Sequence, residues 1–276
     1  MEILICGSAA AEGIPAVFCN CRVCENARRK GGREIRSRSC YRIDRTFGID
    51  ANMDFHWQEN RYCLRSDRLR HLFFTHSHED HLDPYLFSYR RPGMSVVPPE
   101  NILTVYGNPT VLEYIRDCRF SRGNLDKLRL KPVELEFFRP IAIPEEETEV
   151  LPLPANHDPA EKAMIFAIRR QGRQLLVAND SGWPADEVFD ALRDWRFDAV
   201  IADCTGGTFT NGVNHMGGMV TVELRDRLKE QGSLAPECRF IANHFSHNGN
   251  CTYEEIVNFF TPHGIETAYD GFRFTL

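Results

Sequence analysis

Short runs of β-branched and aromatic residues, each closed by turn residues, recur along the whole chain. They predict strands at Ile3–Cys6, Thr46–Ile49, Leu72–Phe74, Ile102–Tyr106, Glu149–Leu153, Ile165–Ile168, Leu175–Ala178, Val200–Ala202, Arg239–Ala242 and Thr267–Tyr269. Arg169-Arg170-Gln171-Gly172 between Ile168 and Leu175 predicts one antiparallel hairpin, and Asp270-Gly271 between Tyr269 and Phe272-Arg273-Phe274 predicts another. The sheets are therefore not purely parallel. Helical patterns fill the intervals: Val111–Cys118 behind Pro109, Ala185–Leu192 behind Ser181 and Pro184, Val220–Lys229, and Tyr253–Phe259 behind Thr252 as N-cap. Val220, Leu224 and Leu228 recur every four residues and make one apolar face. With no Ser/Gly linker, repeat or low-complexity tract, the pattern predicts one α/β domain over 1–276. We expect a two-sheet sandwich flanked by helices, with a loop-rich insert at about 12–40.

Composition narrows the classes. The 276 residues are 42% hydrophobic and 26% charged, close to the length at which a single core stops growing. Thirty-three basic residues against 39 acidic ones leave a formal charge of −6, which argues against a generic polyanion binder and leaves nucleic acid only a local patch. All but five of the basic residues are Arg, whose planar fork suits phosphate, although codon bias explains the preference as simply. The opening Met1-Glu2-Ile3-Leu4-Ile5-Cys6-Gly7 carries an acid where an export signal needs bases and reads as a first strand. No window approaches the ~18 continuous apolar residues of a membrane span. A cytoplasmic protein with no membrane partner is expected, its ten cysteines reduced or bound to metal.

The chemistry concentrates directly after the Leu72–Phe74 strand, in Thr75-His76-Ser77-His78-Glu79-Asp80-His81. Core packing does not call for four ligand-type side chains within six residues. In an extended stretch His76 and His78 point to the same side and can reach one ion, while a following turn brings Asp80 and His81 to a second position beside it. Further donors follow other predicted strands: His157, Asp180 and His244. Standing alone, each would read as a loop histidine or a helix-capping aspartate; at strand ends facing one sheet edge they extend the set.

This H-x-H-x-D-H run, with His157, Asp180 and His244 downstream, resembles the metallo-β-lactamase superfamily. The resemblance implies a four-layer αββα sandwich with mixed sheets and a dinuclear centre. In it His76, His78 and His157 would hold one ion, Asp80, His81 and His244 the other, and Asp180 would bridge them. A carboxylate there, where the true β-lactamases carry a Cys, is similar to the hydrolase branch and leaves zinc and manganese both open.

A second cluster, Cys19-Asn20-Cys21-Arg22-Val23-Cys24, gathers three thiolates and leaves one corner of a zinc tetrahedron for a distant residue, His247 or Cys251. Gly7-Ser8-Ala9-Ala10-Ala11-Glu12-Gly13-Ile14-Pro15 ahead of it resembles the opening of the phosphoribosyl cyclic phosphodiesterases of the carbon–phosphorus lyase pathway, and pyrroloquinoline-quinone biosynthesis protein B begins similarly. The phosphodiesterase resemblance implies His247 as the fourth ligand of a structural zinc and a phosphate-contacting role for His215, within the Gly-rich stretch Gly206–Gly218. After the metal run the chain departs from the relatives' Gly-Leu pair with Leu82-Asp83-Pro84-Tyr85-Leu86-Phe87-Ser88-Tyr89-Arg90-Arg91, which bears on substrate more than on chemistry. Its aromatics and arginines would line the pocket mouth or, more simply, form an amphipathic helix with exposed arginines.

Two cations ~3.5 to 4 Å apart lower the pKa of a bridging water toward ~7. The expected function is a metal-dependent hydrolase cleaving a small, cyclic phosphodiester, with Asp80 and His215 as catalytic residues, the latter as general acid. The alternatives are a tRNA 3′-end-type endonuclease, a lactonase or thioesterase, and a non-enzymatic cofactor carrier. The acidic charge disfavours nucleic acid as a partner, and a homodimer is compatible with the sequence.

Overall fold

The computed structural model describes residues 1–118 and 124–276. Its strands are β1 (Glu2–Gly7), β2 (Cys40–Ile43), β3 (Phe47–Ile49), β4 (His71–Phe73), β5 (Leu103–Gly107), β6 (Leu130–Glu134), β7 (Ile141–Ile143), β8 (Thr148–Pro154), β9 (Met164–Arg170), β10 (Arg173–Ala178), β11 (Phe197–Asp203), β12 (Leu234–Asn243), β13 (Glu266–Thr267) and β14 (Phe272–Thr275). The helices are α1 (Arg22–Lys30), α2 (Phe55–Tyr62), α3 (Pro109–Asp117), α4 (Asp186–Ala191), α5 (Met219–Glu230) and α6 (Tyr253–Phe260). One sheet runs β14-β1-β2-β3-β4-β5-β6 and the other β13-β12-β11-β10-β9-β8-β7, each with parallel and antiparallel pairs.

The period-2 alternation of the strands builds the layers. In β10, Leu175 and Val177 face the first sheet and join Ile5, Tyr41, Phe73 and Phe166 in the inter-sheet core. Leu176 and Ala178 face the other way, into a core shared with α4, α5 and α6. Buried on both faces, such a strand reads as a continuous apolar run, which is why its sequence is conspicuous. The outer face of the first sheet is covered by α3 through Val111, Leu112 and Ile115. Four layers result, as the family resemblance implied.

The first expected hairpin forms: β9 and β10 pair antiparallel with Arg170 opposite Arg173, and Gln171 (φ 51°) and Gly172 (φ 75°) take the left-handed values of a two-residue loop. The second does not. β13 pairs with β12 in one sheet while β14 pairs with β1 in the other. Asp270, between them, is pulled inward by donors from Ser8 and Ser37, so the turn crosses between sheets. β6 and β7 are edge strands, and Pro132 in β6 is a residue that edges tolerate, so neither carries the apolar signal of a buried strand. Within 12–40 the chain forms α1, whose Val23, Cys24 and Ala27 are buried while Arg28, Arg29 and Lys30 crowd its last turn.

Candidate metal centre

The sheets deliver the candidate ligands to one edge. Thr75–His81 follow β4, His157 follows β8, Asp180 follows β10 and His244 follows β12 directly. Ala178, Ala202 and Ala242 lie abreast in three parallel strands, so Asp180 and His244 leave the sheet at the same level. The residue before each is an Asn whose side-chain amide donates to the buried hydroxyl of Tyr41: Asn179 through Nδ2, and Asn243 through Nδ2 at 2.8 Å. A tyrosine of the first sheet thereby ties together two ligand-bearing strand ends of the second. Asp180 and His244 have φ of 52° and 65°, and Asp50, at the end of β3, has 60°. This left-handed region is disfavoured for side chains with a Cβ and is found where surrounding structure enforces it.

Two groups of donors meet at Asp180. His78 Nδ1 and His157 Nε2 face each other at 3.2 Å beside His76, whose Nε2 is 3.4 Å from Asp180 Oδ2. On the other side, His81 Nε2 lies 2.7 Å from Asp180 Oδ2 and 3.1 Å from Asp80 Oδ2, and His244 Nε2 lies 3.5 Å from Asp180 Oδ2. Apart from the His78–His157 pair, closeness does not make these atoms hydrogen-bonded. His76 Nε2, His81 Nε2, His157 Nδ1, Asp180 Oδ1 and His244 Nε2 are all buried with no aligned partner. Orphaned nitrogens and carboxylate oxygens converging in a buried cleft are what divalent cations would satisfy, so these seven residues fit a metal pair.

The far sides of the rings are occupied, which fixes their orientation. His81 Nδ1 is 2.7 Å from Asp50 Oδ2, and Asp50 Oδ1 also accepts from the Thr75 backbone N–H. His76 Nδ1 is 3.0 Å from Thr75 Oγ1, His244 Nδ1 is 2.8 Å from Thr205 Oγ1, and His78 Nε2 is 3.1 Å from Asp158 Oδ2. Asp203 accepts from the backbone N–H groups of Asp180, Thr205 and Met216 and from Thr205 Oγ1. With its oxygens so engaged, Asp203 is a positioning group rather than a candidate ligand. Reading the sequence passed over Asp50, Asp158 and Asp203. The available signal for Asp50 and Asp203 was their place at the ends of strands on the ligand-bearing edge.

The carboxylates set the charge state of the centre. Burial would raise the Asp180 pKa, but the His244 and His81 rings hold it well below the usual range. Burial opposes charging His244, yet Asp180 and hydrogen bonding to Asp203 raise it to about 10. His215 lies with its Nδ1 3.1 Å from Asp180 Oδ1 and 3.6 Å from Asp203 Oδ2. Burial pulls its pKa down, and those two neighbouring carboxylates bring it up to about 9. His78, Asp80, His157, Asp180, His215 and His244 all border one cavity of about 530 Å³. Among its described lining residues there is no Lys or Arg. Arg90, one of the two arginines considered for the pocket mouth, is instead held by the carbonyls of Leu128 and Asn101 on the other side of the first sheet.

Cys19, Cys21, Cys24 and His247 form a separate cluster, with His247 Nδ1 3.5 Å from the sulfurs of both Cys19 and Cys21. Burial opposes the Cys21 thiolate, but hydrogen bonding from the Cys24 backbone, His247 and the neighbouring thiols lowers its pKa to about 6. Three sulfurs and one imidazole fit a tetrahedral zinc site. Cys251, the rival fourth ligand, lies elsewhere, against Thr208 Oγ1 and the Gly249 carbonyl.

Residues 45–237 match the family model described as the beta-lactamase superfamily domain. Among solved structures, a diphosphatase from the PhnP family is 20% identical with a TM-score of 0.75, the match covering 100% of this chain and 97% of that one. Zn(2+)-bound PqqB from Methylobacterium extorquens is 17% identical with a TM-score of 0.75, covering 100% of both chains. The short form of human tRNase Z is 15% identical with a TM-score of 0.66, covering 100% of this chain and 99% of that one. No curated protein matches by sequence. At these identities the structural likenesses show a common fold.

Proposed function

We propose that this chain, which belongs to the beta-lactamase superfamily, is a metal-dependent hydrolase of a small, cyclic phosphodiester. The observation that carries the reading is the convergence of His76, His78, Asp80, His81, His157, Asp180 and His244, with five buried atoms lacking aligned partners, beside a cavity that also receives His215. In this reading His76, His78 and His157 would hold one ion and Asp80, His81 and His244 a second, with Asp180 shared between the two groups; zinc and manganese would both suit the donors. Cys19, Cys21, Cys24 and His247 hold a structural zinc that orders the insert at about 12–40. When bound, a pair of cations polarises a phosphoryl oxygen and activates water.

The chain's own residues supply the remainder. Asp180 orients the attacking water through a carboxylate whose backbone N–H is held by Asp203. Asp80 fixes its side of the centre. His215, whose Nδ1 lies 3.1 Å from Asp180 and 3.6 Å from Asp203, donates a proton to the departing alkoxide. An acid at this position favours phosphodiester cleavage, where the leaving group is poor. A cavity whose described lining has no Lys or Arg favours a single small anion over a polyanion. Likeness to a PhnP-family diphosphatase supports phosphate-ester chemistry.

The test compares kcat/KM for a ribose cyclic phosphate, a lactone and precursor tRNA in one metal-loaded preparation. The cyclic diester is expected to be preferred. Site-specific tRNA cleavage without diester turnover would overturn the reading, and turnover of lactones alone would move it to carbonyl chemistry. Absence of any turnover would favour the cofactor carrier.

A further inference from the structure

Besides the metal-centre residues and His215, the lining of the cavity includes Ala10, Ala11 and Glu12 and, from a segment far along the chain, Ser246, Asn248 and Gly249. Among the described lining residues Glu12 is the one carboxylate outside the metal centre. Its Oε1 accepts from Asn248 Nδ2 at 2.8 Å and from Ser246 Oγ at 3.1 Å. No donor among the described residues reaches Oε2. The side chain keeps a third of its surface exposed and lies 3.7 Å from His247 Nε2. The turn carrying it is fixed: Ala10 N–H donates to the Phe245 carbonyl at 3.0 Å and Gly13 N–H to the Ala10 carbonyl at 3.1 Å. An anchored carboxylate with a spare oxygen is therefore presented to whatever occupies the cavity.

An ionised carboxylate only accepts hydrogen bonds, and it repels a second anion. The phosphate end of a substrate belongs with the cations and His215, so the rest of the molecule is left to meet Glu12, which lines the same cavity. We infer that Glu12 is a specificity-determining residue that binds hydroxyl groups on the non-phosphate arm of the substrate, selecting a polyol such as a sugar over an alkyl chain or a second phosphate. This rests on the phosphodiester reading and names the arm that reading leaves open. Ser246 and Asn248 hold Oε1 in place, so that Oε2 meets the incoming hydroxyls without rearrangement.

The experiment is a cycle of one enzyme change and one substrate change. Glyceryl p-nitrophenyl phosphate and propyl p-nitrophenyl phosphate share a leaving group and differ only in the two hydroxyls. The wild-type protein should prefer the glyceryl diester in kcat/KM by about 10- to 100-fold, the range for hydrogen bonds to a charged group. In Glu12→Gln that preference should collapse to within about threefold, with zinc content and melting temperature unchanged. Glu12→Ala, which also releases Asn248, should do the same. A preference that survives both variants, or no preference in the wild type, overturns the inference. Loss of zinc from Glu12→Gln would overturn it too, assigning Glu12 to the support of His247. Failure of the wild type to cleave either diester or a ribose cyclic phosphate would instead overturn the phosphodiester reading, and the inference with it.

Discussion

The imidazole–carboxylate centre and the thiolate cluster are built by opposite means. The first takes its donors from the ends of β4, β8, β10 and β12, most of them buried and His78 partly exposed, and the far sides of its rings are held by Asp50, Asp158, Thr75 and Thr205. The second takes three of four donors from the six residues Cys19–Cys24, of which Cys19 and Cys21 are partly exposed and Cys24 is buried, and Glu12 is the carboxylate near its histidine among the described residues. In the first region the finished sheets create the site. In the second the site holds the chain, pinning the start of α1 to His247 beyond β12. The difference implies that damage to the first costs chemistry while damage to the second costs local structure.

The sharpest way to break this contrast is Cys21→Ser. Zinc bound by thiolates in small modules contributes on the order of 10 kcal/mol, so the variant should lose one zinc and melt at lower temperature while the donors around Asp180 stay assembled. Unchanged zinc content and melting would make the thiols bystanders. Next in size, His215→Ala should retain metal and melting temperature but slow turnover by roughly 10²- to 10⁴-fold. The loss should be smaller with a p-nitrophenolate leaving group than with an alkoxide; equal losses would assign His215 to binding.

Asp50→Asn tests whether the outer partners matter in the first region, where most of the rings have one within hydrogen-bonding distance. A partner of a ligating histidine is worth about 10- to 100-fold in metal affinity or activity, read by metal titration of the variant. An unchanged titration would show that packing alone orients His81. Tyr41→Phe removes the hydroxyl that receives Asn179 and Asn243, and should lower unfolding free energy by about 1–2 kcal/mol in urea denaturation. No loss would mean that the two strand ends are held by their sheet.

The smallest effect belongs to the second region. Arg22 and Glu255 tie α1 to α6 at 2.8 Å, and that hydrogen bond, with the Thr252 backbone N–H, lowers the Glu255 pKa to about 2. A depressed carboxylate contributes stability that is present above about pH 4.5 and is lost as pH falls through 2. Both side chains are half exposed, so screening holds the contribution below about 1 kcal/mol. Melting curves of wild type and Glu255→Gln should therefore differ slightly at pH 6 and converge toward pH 2.

Residues that work as a local run were legible in the sequence: His76–His81 and Cys19–Cys24 announce themselves by spacing. His157, Asp180 and His244 were legible because each follows an apolar strand. Asp50, Asp203, Tyr41 and Glu12 were not, because each acts singly and gains meaning only when a partner far along the chain is brought beside it. Tyr41 meets Asn243 across 202 positions. The same limit explains the hairpin expected around Asp270: its local turn chemistry was sound, but Ser8 and Ser37 redirected it. The helix α1 was hidden by the charge density of Arg28, Arg29 and Lys30, which left only a short apolar face.

The left-handed backbone at Asp50, Asp180 and His244 bears on how such a site persists through generations. Glycine enters that region freely, whereas residues with a Cβ are held there at a cost of roughly 1 kcal/mol or more each. Replacement of any of the three by glycine relieves the backbone while disarming the centre. Selection for robustness alone therefore drifts toward inert sequences, and only continued demand for turnover keeps these side chains where they are. A library of this gene enriched for thermal resistance, with no screen for activity, should accumulate glycine at Asp180 and His244, which hold buried atoms without aligned partners, ahead of Asp50, whose carboxylate satisfies Thr75 and His81.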